Sequence, residues 1–161
     1  MEKHNKTIIH STLDSGYDFF VTNNYGEKFH FRISTFQVPS GWLSEAIEVV
    51  DYSPEKECRV FHFLSDFDVD IEKAELSLKA KIKRGINQKH LQVENGRISI
   101  SDEQILRGRI SWGEKLTDTT FNTFFEIDGR RVTIEKFIEM LEGYGSFNFK
   151  FQIFDSCDET E

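Results

Sequence analysis

Phenylalanines recurring at every second position constrain this chain more than any other feature. Phe29, Phe31 and Ile33 alternate with Lys28, His30 and Arg32, and Phe147, Phe149, Phe151 and Ile153 alternate with Asn148, Lys150 and Gln152. A period of two puts one set on each face of an extended chain, so both segments predict half-buried strands of an antiparallel sheet. The chain holds 16 Phe in 161 residues, and rings of that size must find broad apolar faces.

Turn chemistry sets the register of two hairpins. Asn95-Gly96 suits a two-residue loop whose central positions both need positive φ. Closing it pairs Glu94 with Arg97, Val93 with Ile98 and Leu91 with Ile100, which puts unlike charges and apolar groups opposite one another. Asp128-Gly129 likewise sets Glu126 opposite Arg131 and Phe125 opposite Val132. A loop over Asn23–Gly26 is expected to join strands Tyr17–Thr22 and Glu27–Val38. In Arg59–Ser65, Val60, His62 and Leu64 share one face and Phe61 and Phe63 the other, so this strand is expected between two layers.

Two segments carry helical period. Ile71, Ala74, Leu78, Ile82 and Ile86 fall within roughly 60° of one line at about 100° per residue, with Asp70 placed as the N-cap. Ile134, Phe137, Ile138 and Leu141 follow the i, i+3, i+4, i+7 spacing of a helix over Ile134–Glu142. Thr133 is its cap, and Gly143 is placed for a left-handed stop.

The expected architecture is α+β: a mainly antiparallel, strongly curved sheet of about seven or eight strands with two helices. The two helices are too narrow to cover both faces of so wide a sheet. Curling is therefore expected, with a residual aromatic patch left for association, most simply a twofold homodimer. No linker divides the chain, so a single domain is expected over 1–154, followed by an acidic disordered tail over 155–161.

The stretch Phe125-Glu-Ile-Asp-Gly-Arg-Arg-Val-Thr-Ile-Glu-Lys-Phe-Ile-Glu-Met-Leu-Glu-Gly-Tyr-Gly-Ser-Phe-Asn-Phe-Lys-Phe resembles the C-terminal half of an uncharacterised bacterial domain family. Gly108-Arg-Ile-Ser-Trp112 and Asp66-Phe-Asp-Val-Asp70 are similar to that family too, and the likeness extends over Glu45–Asp155. The resemblance implies a bacterial source and no nameable activity. Some chains of this type carry a paired-Cys segment near the N-terminus; this one does not, so no zinc role carries over.

A net charge of −8 opposes attraction to nucleic acid and anionic membranes. No stretch approaches the roughly 20 apolar residues of a membrane helix, and no apolar run follows the polar Met1–Asn5, so a cytoplasmic protein is expected. Cys58 and Cys157 are too few for a disulfide framework; the first is expected as a buried thiol, the second as a free one in a mobile tail.

Asp66, Asp68 and Asp70 alternate as calcium-loop acids do, but Ile71 and Ser77 stand where such a loop needs Gly and Glu. They are better read as acids at a helix N-terminus, and no metal or cofactor is expected. The basic run Lys79, Lys81, Lys83, Arg84 and Lys89 lacks interleaved aromatics and fans around a helix, as a solvated face does. No nucleophile elbow or phosphate loop is present.

The remaining polar candidates are His30, His62 and the pair Arg107/Arg109, whose guanidinia would stand about 7 Å apart on one strand face and suit a carboxylate or phosphate. The sequence thus points first to a non-catalytic binding or interaction protein. An enzyme or small-ligand protein using His30, His62 or Arg107/Arg109 comes second, and a nucleic-acid binder through the basic helix 79–89 third.

Overall fold

The computed structural model describes residues 16–158. They group into two compact units where the sequence suggests one domain. The first takes the chain up to Val49, Val60–Asn87 and the residues from Ile153 on; the second takes Val50–Arg59 and Gln88–Gln152.

In the first unit, β1 (Tyr17–Thr22), β2 (Lys28–Val38), β3 (Gly41–Glu48) and β4 (Val60–Ser65) form an antiparallel sheet in sequence order. Helix α1 (Ile71–Asn87) covers one face. Its buried stripe is Ala74, Leu78, Ile82 and Ile86, four of the five residues the period selects. The stripe meets Phe31, Ile33 and Ala46, with Phe19, Phe61 and Phe63 packed alongside. Asp70 Oδ1 accepts the Glu72 N–H at 3.3 Å, which caps the helix. At the far end Asn23 binds loop and helix together. Its Oδ1 accepts from Tyr25 N and Glu27 N, and its Nδ2 donates to Ile86 O.

The strand over Gly41–Glu48 is additional to those expected from the sequence. Gly41 begins it at φ 149°, and a Cβ there would collide with the Ser65 carbonyl, so the β2–β3 turn needs glycine.

The second unit holds the hairpin β5 (Leu91–Glu94) and β6 (Arg97–Ile100), the meander β7 (Arg109–Lys115), β8 (Phe121–Ile127) and β9 (Arg130–Thr133), and helix α2 (Ile134–Leu141). Both hairpins adopt the registers their turns dictate, and Asn95, Gly96, Asp128 and Gly129 all have positive φ. Thr133 caps α2, its hydroxyl accepting the Lys136 N–H at 3.2 Å. Leu91, Ile127, Val132 and Met140 form the core, with Phe125 and Phe137 packed on it. Asp128 Oδ2 accepts from His90 N at 2.7 Å and Leu91 N at 2.8 Å, tying the β8–β9 turn to β5.

The α+β class holds, but the single curved sheet of about seven or eight strands does not. Among the described residues nine strands make three separate antiparallel sheets. Every pairing joins strands adjacent in sequence, so each sheet is a simple hairpin or meander. Gly143 makes no left-handed stop: α2 passes through an αR residue, Glu142, into a single 3-10 turn over Glu142–Tyr144.

Candidate functional site

After that turn the chain reaches the phenylalanine row. Ser146 has φ 75°, and Phe147 N donates to Tyr144 O at 3.0 Å, with the Phe147 ring edge-on to Tyr144. From here the expected half-buried strand does not form. Among the described residues no strand pairs with 147–153. The row is open instead: Phe147 is 60 %, Phe149 91 %, Phe151 66 % and Ile153 70 % exposed. The alternation records a chain shaped for a sheet. It does not supply the neighbouring strand on which ladder hydrogen bonds depend.

The tail expected to be disordered over 155–161 begins with a defined turn, while 159–161 lie outside the described residues. Asp155 O accepts from Asp158 N at 3.0 Å and Asp155 Oδ1 from Cys157 N at 2.8 Å. Cys157 is a free thiol, as expected, and is half-buried; burial, then the Asp155 carboxylate, push its pKa upward. Cys58 is half-buried, where the sequence suggests full burial.

This turn seats Ser156 beside His62. The imidazole Nδ1 lies 3.0 Å from Ser156 Oγ, and Nε2 lies 2.9 Å from Glu45 Oε2. Glu45 and His62 are directly opposed on β3 and β4, and the side chains of both are 21 % exposed. Lys81 reaches over from α1 and donates to His62 O at 2.9 Å and Ser156 O at 3.0 Å. Sequence reasoning singles out His62 and misses its partners. Ser156 lies 94 residues away, and no spacing signal links the two.

His30 does not join this group. It stands on β2 with Nε2 2.8 Å from Asp18 Oδ1 and its ring stacked on Phe20. Arg32 donates to the same Asp18 oxygen at 3.2 Å. These hydrogen bonds, His30 first and Arg32 second, hold the Asp18 carboxyl below its ordinary value of 3.8. On the helix-covered face, Tyr17 donates to Glu75 at 2.6 Å; burial, then this contact, raise the phenol's pKa.

Arg109 opens β7 and its Nη2 donates to Cys58 O at 3.2 Å, while its buried Nε has no partner among the described residues. Arg107 precedes the strand and is half-buried. In the basic run, Lys79 lies 5.2 Å from the Tyr17 and Phe19 ring centres and Lys81 serves the two carbonyls. Among the described residues no three His, Cys, Asp or Glu side chains are grouped to hold a metal, and no helix is long and apolar enough to cross a membrane.

No curated protein and no solved structure matches the chain. Two family models do. Their border falls at the end of α1, and the descriptions name no activity. Residues 14–87 match the family described as Domain of unknown function (DUF7686) and residues 89–158 the one described as Domain of unknown function (DUF7713), so the chain is similar to two uncharacterised domain families in succession.

Proposed function

We propose that this is an interaction protein of the bacterial cytoplasm that associates by strand pairing through Phe147–Ile153, with a second copy of the chain as the partner. The observation that carries the reading is the row itself, whose large apolar side chains are exposed and which no strand pairs among the described residues. Exposed apolar rows of this kind mark association sites, and an extended segment adds to a sheet through its main chain. The row is self-complementary. An antiparallel copy centred on Phe151 sets Phe149 opposite Ile153, Phe151 opposite Phe151, and Lys150 opposite Gln152.

The acidic balance and the lack of a membrane-length helix among the described residues support the compartment. The basic helix supports no nucleic-acid role in this reading, since Lys79 and Lys81 are engaged by rings and carbonyls. Light scattering behind a sizing column tests association. A dimer that becomes a monomer in Phe149→Ser/Phe151→Ser is expected. A wild-type chain that stays monomeric at high micromolar concentration overturns the reading.

A second reading, chemistry at His62, is favoured by one observation: both ring nitrogens are engaged, one by a carboxylate and one by a hydroxyl.

A further inference from the structure

We propose that Ser156, His62 and Glu45 form a nucleophilic site that cleaves activated carboxylic esters. The proposal rests on the second reading above and is independent of dimer formation. A carboxylate only accepts hydrogen bonds, so Glu45 fixes the proton of neutral His62 on Nε2. The Nδ1 lone pair then faces Ser156 Oγ at 3.0 Å, and the hydroxyl must be the donor. A nucleophile bonded to a base, itself oriented by a third group, is the arrangement that activates serine. Its members come from β3, β4 and the C-terminal turn, and Ser156 is exposed to an incoming ester.

In the first step Ser156 Oγ bonds to the ester carbonyl carbon as its proton passes to His62 Nδ1. The tetrahedral oxyanion collapses, the bond to the leaving oxygen breaks, and that oxygen takes the proton from Nδ1. In the second step water attacks the acyl-serine, giving its proton to Nδ1. Ser156 Oγ then leaves and recovers that proton, so ester and water become acid and alcohol. The Lys81 ammonium donates to the backbone carbonyls of His62 and Ser156. Its longest contact, 3.5 Å to Asp158 O, is the one a developing oxyanion would replace. Glu45 is a positioning residue. With Ser156 on an open surface, selection among acyl groups is weak and activated esters are the class that reacts.

The test is labelling of the full chain with a fluorophosphonate, together with p-nitrophenyl acetate turnover, read by intact mass and peptide mapping. One adduct on the Ser156 peptide is expected. Ser156→Ala abolishes it, His62→Gln slows it about 100-fold, and Cys157→Ser leaves it unchanged. Glu45→Gln slows it, because the imidazole loses the carboxylate that fixes its tautomer and orientation, and Glu45→Asp, which keeps that acceptor, restores part of the rate. Circular dichroism confirms that each variant folds. No adduct on folded wild-type chain, an adduct on Cys157 or Lys81 instead, or labelling of Ser156 that His62→Gln does not slow, overturns the proposal. Light scattering is unaffected by Ser156→Ala, so failure here and failure of the association reading are distinguishable.

Discussion

The Phe61 ring occupies the space that a side chain at position 85 would need: a Cβ on Gly85 would stand 2.5 Å from Phe61 Cε1 and 2.7 Å from Cζ. Here α1 packs against β4. The ring is itself held edge-on to Phe31, 5.8 Å away, so it cannot retreat freely.

Gly85→Ala is therefore expected to destabilise the protein. Alanine gains about 1 kcal/mol of helix propensity over glycine. Overpacking costs about 1–3 kcal/mol, and the loss wins by about 1 kcal/mol. Adding Phe61→Leu recovers part of it. Urea midpoints of the two variants check this, and a single variant more stable than wild type would show that the ring yields at no cost.

Asp18 makes stability depend on pH. Its folded pKa is depressed by His30 and Arg32, so its contribution is present above the ordinary value of 3.8 and is lost as pH falls through the folded one. Asp18→Asn should lower the denaturation midpoint near neutral pH, and the gap from wild type should close as pH drops below that value. A gap constant down to the acid limit would mean that the carboxylate contributes nothing through its charge.

Thr133 caps α2 through Lys136 N. Thr133→Ala should cost about 1 kcal/mol, as the loss of an N-cap does. Thr133→Ser should restore most of it, since the accepting oxygen returns. Equal denaturant midpoints for the alanine and wild-type chains would remove the cap from the account of the helix.

Cys157 is held in its thiol form by burial and by the Asp155 carboxylate. The thiolate is the reacting species, so alkylation by iodoacetamide near pH 8 should be slower in the native chain than in urea. Asp155→Asn should speed the native reaction. Equal native and unfolded rates would show that the turn around Asp155 exerts no hold on the thiol.

Local rules carried much of the fold. Asn95-Gly96 and Asp128-Gly129 set their registers because positive φ at both central positions leaves one way to close each hairpin. Thr133 and Asp70 marked helix starts, and the stripe Ala74, Leu78, Ile82 and Ile86 marked the buried face, because capping and helical period are properties of a few neighbouring residues.

Sheet membership and the polar array were decided by tertiary structure. Phe147, Phe149, Phe151 and Ile153 have the same alternation as Phe29, Phe31 and Ile33, yet one row is open and the other lies in the sheet that α1 covers. A period of two fixes which way side chains point, not which strand supplies the hydrogen bonds. Likewise Glu45, His62 and Ser156 meet because β3 pairs with β4 and the C-terminal turn reaches the same unit. Contacts across 94 residues leave no trace in spacing, because they depend on how the chain returns and not on what stands beside each residue.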